Sequence, residues 1–305
     1  MTEQTTQKKY ELLKDDTVEH LGRTLYRIKA LITFGLVGAG QLGGYIETEK
    51  NLDHSGNAWV YDNAMVYGNA RVFGNAGVYG NAWVFGNAGV YGNARVYGNA
   101  WVFGNAGVYG NARVYGIARV FGNAWVYGNA GVLDDAWVFG NAGVYGNARV
   151  YGIARVFGNA WVYGNAGVLD DAWVSGDARV FGNAGVYGDA RVYGDAWVSG
   201  DARVFDDARV YGDARVYGDA WVSGDALVRS FAVISERKMI FCASNVGPKN
   251  RTLTVFNGKY GLIVTRGCFT GTVDEFLSKS KEVHDDKTHH GYKLLIEVAQ
   301  SRILN

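Results

Sequence analysis

The chain has 305 residues, with 30 Lys and Arg against 29 Asp and Glu, 44 Gly, one Pro and two Cys, and a net charge of +1. A single Pro excludes a collagen-like or proline-rich chain. The sequence has no run of 18 apolar residues, so no membrane span is predicted. The near-zero charge gives no general attraction to nucleic acid or lipid. Two Cys, with no secretory leader at Met1–Gln7, predict reduced thiols and a cytoplasmic protein.

Residues 1–55 precede the repeats and predict an N-terminal β cap of short strands and turns. Within this cap the segment Gly38–Gly43 reads GAGQLG, which has the spacing of a dinucleotide-binding loop. Such a loop needs a helix directly after it and then a second parallel strand. There is no room for either, because Gly44 follows at once and the repeats begin at Gly56. We therefore interpret these glycines as turns that join the cap to the first coil.

A six-residue pattern, G-[N/D]-A-x-V-[Y/F], fills residues 56–235 as thirty hexads without an insertion. Residues Gly110–Val138 recur identically at Gly146–Val174, a displacement of 36, as expected for an array to which whole coils can be added. Ala and Val lie two positions apart, so they share one face of an extended segment, and x and the aromatic residue share the other. Gly followed by Asn or Asp predicts a bend, because these residues tolerate positive φ.

Three strand-and-bend units close a triangular coil of 18 residues, which predicts about ten coils spaced ~4.8 Å apart. The interior is expected to hold only stacked Ala and Val. All nine Trp occupy outward x positions. A helical interpretation fails, because a Gly at every sixth position would destabilise a helix by ~1 kcal/mol each time.

Residues 236–305 leave the pattern and predict a small C-terminal α+β cap, since an open end of the stack would expose unpaired backbone groups. Arg251–Phe256 and Lys259–Arg266 flank Asn257-Gly258, which predicts a type I′ hairpin turn. Thr272–Glu275 is a capping box that predicts a helix through about Val283. A second helix is predicted from Tyr292 to Leu304. Whether this cap only covers the stack or also binds a ligand stays open.

The repeat resembles that of hexapeptide-repeat left-handed parallel β-helices, in which an aliphatic residue recurs every six positions. That class commonly places Gly directly after the aliphatic residue, whereas here Tyr or Phe stands there and Gly comes one place later. YdcK-like bacterial and prophage proteins share this departure, and the chain resembles them from about Lys9 to Ile303. Outside the hexads the resemblance includes the segments Gly22–Leu31, Leu42–Glu47 and Gly261–Gly271.

The resemblance implies a mainly β fold: a single-stranded left-handed parallel β-helix over 56–235, with an N-terminal β cap (1–55) and a C-terminal α+β cap (236–305). It also implies a bacterial or prophage origin. The repeat is specific for the fold and says little about function.

Hexapeptide β-helices include acyltransferases, which use a His between coils as a general base. The hexads contain no His, Lys or Cys and no protruding loop. The five His residues lie outside them, at His20, His54, His284, His289 and His290. We therefore expect no catalytic residue and no cofactor. Acyl transfer stays an alternative, in which a second copy brings a terminal His against a coil.

Metal sites are weakly indicated. Cys242 and Cys268 share the C-terminal cap with His284, His289 and His290, but no spacing typical of zinc joins them. We interpret His289-His290 as a solvated loop before Gly291. We expect no metal here.

The stacked Asp177, Asp195 and Asp213 recur at one corner, 18 residues apart, and suggest calcium as an alternative to simple bend chemistry. These carboxylates supply fewer oxygen ligands than known calcium loops do. Whether these corners bind calcium stays open.

The period of 18 sorts the outward residues onto three faces. The first face carries an Arg/Trp ladder beside a Phe ladder, and Arg–indole spacing near 4.8 Å suits cation–π stacking. Its candidate partner-binding residues are Trp83, Trp101, Arg119, Trp137, Arg155, Trp173, Arg191, Arg209, Phe85, Phe103, Phe121, Phe139 and Phe157. The second face runs from Arg71 to Arg215 through Trp125, Trp161 and Trp197, and the third from Trp59 to Trp221.

A flat aromatic strip of this size exceeds what soluble monomers usually expose, and Trp and Arg dominate interface energetics. We expect a non-enzymatic scaffold that binds a protein partner or a second copy of itself. The alternative explanation of the ladders is that they only stabilise the stack of coils. Glycan binding, and a phage structural or surface protein, stay alternatives. Duplex nucleic acid is not expected, because the hexads carry twelve Arg and fourteen Asp.

Overall fold

The computed structural model describes residues 7–304 and shows a mainly β protein. The chain forms two compact units, one that ends at Gly158 and one that begins at Asn159. The first unit has an antiparallel sheet followed by parallel β-solenoid coils, and the second has such coils followed by an α+β region. The predicted fold class, a parallel β-helix with a β cap and an α+β cap, is confirmed. The expectation about a leader concerns Met1–Gln7, and all but the last of those residues lie outside the described part.

The first unit begins with three antiparallel strands, β1 (Tyr10–His20), β2 (Arg23–Ala30) and β3 (Leu42–Ile46), followed by a 3-10 turn at Glu49–Asn51. β3 also pairs in parallel with Met65–Val66, so the last cap strand is the template for the first coil. Parallel stacking thus begins before the first hexad.

Residues Gly38–Gln41 of the GAGQLG segment lie in the loop between β2 and β3, Leu42 and Gly43 begin β3, and the segment contains no helix. Its backbone folds back on the end of β2, where the Gly40 N–H donates to the Ala30 carbonyl at 2.8 Å. The glycines therefore do not join the cap to the first coil: Gly38 and Gly40 lie in the connection between two cap strands, and Gly43 lies in β3.

Lys9 is a buried cation at the start of the solenoid. Its Nζ donates to the Ala58 carbonyl at 2.9 Å and lies 4.7 Å from the centroid of the Phe34 ring. Burial lowers the pKa of Lys9 to about 8. The side chain satisfies a carbonyl of the first hexad at the end of the stack, where no earlier coil covers it.

Each hexad of the first unit contributes one short strand made of x and Val, paired in parallel with the strand 18 residues away. The first-face strands are Met65–Val66, Trp83–Val84, Trp101–Val102, Arg119–Val120, Trp137–Val138 and Arg155–Val156. The second-face strands are Arg71–Val72, Gly89–Val90, Gly107–Val108, Trp125–Val126 and Gly143–Val144. The third-face strands are Trp59–Val60, Gly77–Val78, Arg95–Val96, Arg113–Val114, Gly131–Val132 and Arg149–Val150.

The second unit also has three series of strands, which are assigned to the faces by the 18-residue period. Its first-face strands are Trp173–Val174, Arg191–Tyr193, Arg209–Tyr211 and Leu227–Val228. The second-face strands are Trp161–Val162, Arg179–Val180, Trp197–Val198, Arg215–Val216 and Val233–Ile234. The third-face strands are Gly167–Val168, Gly185–Val186, Arg203–Val204 and Trp221–Val222.

The Ala and Val side chains of the hexads form the core, as predicted, and are at most 1% exposed. Successive coils are joined by backbone hydrogen bonds; the Trp101 N–H, for example, donates to the Ala118 carbonyl at 2.9 Å. Because backbone and core repeat identically, the differences between coils lie in the outward side chains.

The bend differs from the prediction in one respect. Positive φ occurs at the Gly position, as at Gly122 (φ 72°), and not at the Asn or Asp that follows it. An added Cβ at Gly122 would lie 3.0 Å from the Gly140 nitrogen in the next coil. Asp adopts positive φ only where it replaces that Gly, as at Asp134 (φ 57°). The expectation that the second bend residue is also left-handed is wrong, because one such residue suffices to turn the chain.

The α+β region of the second unit has a 3-10 turn (Arg237–Met239) and a four-stranded antiparallel sheet packed against two helices. The sheet strands are Ile240–Val246, Arg251–Gly258, Gly261–Arg266 and Phe269–Thr272, and the helices are α1 (Val273–Val283) and α2 (Asp286–Leu304). Leu253, Val264, Phe276, Tyr292 and Ile296 are among the buried residues of its core. Of the described helices, none is both long and apolar enough to cross a bilayer.

The predicted hairpin is present, but its turn is Lys259-Tyr260 rather than Asn257-Gly258. Asn257 and Gly258 stay in the strand because they pair with the last hexad. The Asn257 Nδ2 donates to the Val233 carbonyl at 3.0 Å, and Gly258 forms an antiparallel bridge with Ala232. Tertiary pairing therefore overrides the local turn signal.

The capping box is confirmed: the Glu275 N–H donates to the Thr272 Oγ1 at 3.2 Å, and α1 ends at Val283 as predicted. α2 begins six residues earlier than predicted, because the Asp285 Oδ1 accepts from the Thr288 N–H at 2.7 Å and caps it. His289 and His290 therefore lie on a helix, and their interpretation as a loop is wrong.

Candidate binding face

On the first face of the first unit, indole and guanidinium groups alternate at regular spacing. The Arg119 guanidinium lies 5.0 Å from the Trp101 ring and 4.9 Å from the Trp137 ring, so it is held between two indoles. The Arg155 guanidinium lies 5.2 Å from the other side of Trp137. These four side chains form the central ladder (Trp101, Arg119, Trp137 and Arg155), and all four are half-buried.

A Phe ladder runs beside the central ladder. Phe85, Phe103, Phe121, Phe139 and Phe157 stack on one another with centroid distances of 4.8–4.9 Å and nearly parallel planes. Their edges meet the indoles, since Phe121 and Phe139 lie 6.1 and 6.4 Å from Trp137 in T-shaped contacts. Phe and Trp side chains thus pack against each other along this face.

The N-terminal hairpin covers the beginning of this face. The ring of His20, at the end of β1, lies 4.6 Å from Trp83 and 5.4 Å from Tyr67. Leu25 of β2 joins the buried cluster with Tyr67, against which Phe85 also packs. The first candidate residues, Trp83 and Phe85, are therefore partly covered by the chain itself, and the central ladder begins directly after them.

In the second unit the first face is less aromatic and more cationic. The Arg191 guanidinium lies 4.8 Å from the Trp173 ring, and Tyr193 stacks on Tyr211 at 4.7 Å. Arg191 and Arg209 are exposed, whereas Trp173 is half-buried. The structure thus brings the sequence-predicted residues onto one face within each unit.

The most exposed indoles are not on the first face. Trp125 and Trp161 on the second face are 46% and 43% exposed. Trp59 is fully buried, because Phe34 and Tyr10 of the cap pack against it at 5.4 and 6.1 Å. Trp59 thus occupies an outward x position as predicted, but the cap covers it, so the expectation that the Trp side chains lie on the surface is wrong for Trp59.

Side-chain ladders that were not predicted from the sequence run along two corners of the coil. Asn side chains 18 residues apart bond to each other, and the Nδ2 of Asn105, for example, donates to the Oδ1 of Asn123 at 2.9 Å. Equivalent bonds link Asn57, Asn75, Asn93, Asn111, Asn129 and Asn147 at the other corner. The recurrence of Asn at 18-residue intervals in the sequence is the pattern from which these ladders could have been predicted.

The His and Cys residues serve the caps. His54 accepts from the Lys9 N–H at 3.2 Å, and His289 lies 3.3 Å from the Ser280 hydroxyl. Cys242 and Cys268 are free thiols. Across residues 7–304, no three His, Cys, Asp or Glu side chains are grouped so that they could hold a metal ion.

Five segments of the hexad region match the YdcK β-solenoid repeat, at residues 58–72, 66–80, 88–104, 184–200 and 208–224. The matches fall in both units. No match to a curated protein was found.

Proposed function

We propose that this chain, in which five segments match the YdcK β-solenoid repeat, is a non-enzymatic scaffold that binds a protein through its first face. The bound surface belongs either to another protein or to a second copy of the chain. The observation that carries the proposal is the central ladder, in which two guanidinium groups and two indoles alternate at 4.9–5.2 Å.

The central ladder has the composition and the rigidity of a binding surface. Trp and Arg are the side chains that most often dominate binding energy when they are buried at an interface. Here they are held in place by stacking on both sides, so binding would cost little additional side-chain entropy. A ladder needed only for stability would not require this arrangement, since the Tyr stack of the second face repeats at 4.8–4.9 Å without Arg.

The N-terminal hairpin supports the same function. It packs Val18, His20 and Leu25 against Tyr67 and its neighbours, so this face already accepts side chains of a β-hairpin from its own chain. A partner segment of similar chemistry would extend that contact along the central ladder.

The absence of catalysis is part of the proposal. The described His side chains lie in the terminal regions, where His20 packs on Trp83 and His289 lies near Ser280. We expect acetyl-CoA to leave the melting temperature unchanged in a thermal-shift assay. A clear stabilisation by acetyl-CoA would favour the acyltransferase alternative.

A bacterial cytoplasmic location and a phage or prophage origin also belong to the proposal. The origin is supported by the family resemblance alone. The location is supported by the two cysteines, Cys242 and Cys268, which are free.

The proposal is tested by removing the indoles of the central ladder. The double variant Trp101→Ser/Trp137→Ser should keep the far-UV circular dichroism of the wild type, because both side chains lie outside the Ala/Val core. If the bound surface is a second copy, the variant should no longer self-associate in sedimentation equilibrium. If it is another protein, the variant should no longer recover that partner from the native host.

The matched control is Trp125→Ser, which removes a more exposed indole from the second face of the same unit. It should retain the partner and the oligomeric state. If the double variant keeps both as well, the first face is not the binding surface.

A further inference from the structure

The aromatic stack on the second face of the second unit is interrupted by one serine. Tyr163 and Phe181 stack at 5.0 Å, and Tyr217 lies two coils after Phe181. The residue between them, Ser199, occupies the position that carries Tyr or Phe in most hexads. Each coil adds one interstrand spacing, so the Phe181 and Tyr217 rings are roughly 10 Å apart, centre to centre. This separation leaves space for one more aromatic ring between them.

Neighbouring side chains do not fill this gap. Trp197, two residues before Ser199, makes a T-shaped contact with Phe181 at 6.2 Å. Phe121 and Trp137 make the same T-shaped contact at 6.1 Å on the first face, where the Phe stack is uninterrupted. Trp197 therefore has the position that Trp has beside a complete stack and does not move into the gap. The result is a cavity of about 670 Å³ with Phe181, Ser199 and Tyr217 in its lining.

The rim of the cavity carries more positive than negative charge. Arg215 stacks on Trp197 at 4.9 Å, and Lys259 reaches the rim from the hairpin turn of the α+β region. Asp213 is the one carboxylate among the lining residues. Among the described residues neither cation forms an ion pair, so both are available to an anion.

We propose that this cavity, the Ser199 slot, binds a planar aromatic ring that carries an anionic group. The ring replaces the missing rung of the stack and lies between Phe181 and Tyr217, in contact with the floor at Ser199. The anionic group lies at the rim, against Arg215 and Lys259, where a charge-assisted hydrogen bond is strongest. The cavity volume is within the range of small-molecule sites.

This site is independent of the proposed scaffold function. It lies on the second face, so removal of the Trp101 and Trp137 indoles should leave it unchanged. Either proposal can therefore fail without the other.

Phenyl phosphate is the probe, because it combines one aromatic ring with one anionic group. In a ligand-observed NMR titration of the full chain, we expect a dissociation constant of about 1 mM, typical of a ligand of this size. Benzyl alcohol, which has the ring without the charge, should bind at least about fivefold more weakly. Equal binding of the two would overturn the role of the cations.

Ser199→Tyr restores the rung that other hexads have and should close the slot without harming the fold. It should weaken phenyl phosphate binding at least about tenfold, while Ser223→Tyr, the same change on the third face, should not. Lys259→Gln should weaken phenyl phosphate several-fold and leave benzyl alcohol unchanged. Unaltered binding by Ser199→Tyr, or no binding by the wild type, would refute the site.

Discussion

Asparagine at the second bend position links neighbouring coils in a way that aspartate cannot. The Asn105 amide accepts from Asn87 at 2.9 Å and donates to Asn123 at 2.9 Å. A carboxylate can accept the first bond but cannot donate the second. The ladders of the second unit accordingly run from Asn onto Asp, as from Asn159 to Asp177 at 2.9 Å. Asp177 is thus an end point of a ladder.

We predict that Asn105→Asp destabilises the solenoid by about 1 kcal/mol, because it removes one donor and places a negative charge beside the Asn123 Oδ1. The measurement is thermal unfolding followed by circular dichroism. Asn99→Asp is the control, since Asn99 lies at the third corner between Asn81 and Ile117, and its side chain forms no hydrogen bond within the described part of the chain. Equal melting temperatures for the two variants would contradict the role of the ladder.

At the scale of single residues, the sequence predicts which hexad positions are inside but not what the outward ones touch. The alternation of Ala and Val is enough to place the core. Trp59 could not be predicted as buried, because its cover, Phe34 and Tyr10, comes from a cap with no repeat pattern. The first face was identified from the period alone, yet the covering of Trp83 by His20 depends on how the cap folds.

Among the elements, the Tyr stacks couple neighbouring strands and determine the response to alkaline pH. Burial raises the pKa of Tyr61 to about 12, with a further contribution from the neighbouring Tyr79. Burial and the stacked Tyr91 and Tyr127 raise the pKa of Tyr109 to about 12 as well. The unfolded chain therefore loses these protons first, near the ordinary tyrosine pKa of about 10.

We predict that stability is unaffected by these groups below pH ~10 and falls as the pH rises from ~10 to 12. Thermal unfolding at pH 9 and pH 11.5 measures the loss, and absorbance at 295 nm follows the ionisation. Tyr109→Phe keeps the stacked ring without the ionisable hydroxyl and should reduce the loss. Ionisation of all Tyr near pH 10 in the folded state would contradict the prediction.

Element boundaries in the α+β region show where local signals suffice. The capping box at Thr272 and Glu275 forms as predicted, because all of its partners are within four residues. The Asn257-Gly258 turn does not form, because a strand of the last hexad, distant in sequence, competes for the same backbone. α2 begins early because of the Asp285 cap, which the prediction overlooked.

At the scale of the whole molecule, the 18-residue coil is the unit that can be added or removed. A deletion of Gly86–Phe103 removes one coil and joins Phe85 to Gly104, which keeps the hexad phase and places Arg119 beside Trp83. We predict that this variant retains parallel β structure and the Arg–Trp contact, because each remaining strand meets an equivalent neighbour.

The control deletion, Gly86–Ala100, removes 15 residues and joins Phe85 to Trp101, which breaks the hexad phase. It should lose much of its β signal in circular dichroism, because Ala and Val no longer point to one interior. Similar spectra for both deletions would show that the coil is not the folding unit.

The central claim, that the first face binds a protein, is tested most directly by hydroxyl-radical footprinting of the indoles. The tagged chain would be isolated from its host and probed before and after bound proteins are released with high salt. We predict that Trp101 and Trp137 oxidise several-fold more slowly before release, while Trp125 is unchanged. Protection of Trp125 in place of Trp101 and Trp137, or no protection at any of the three, would contradict the claim.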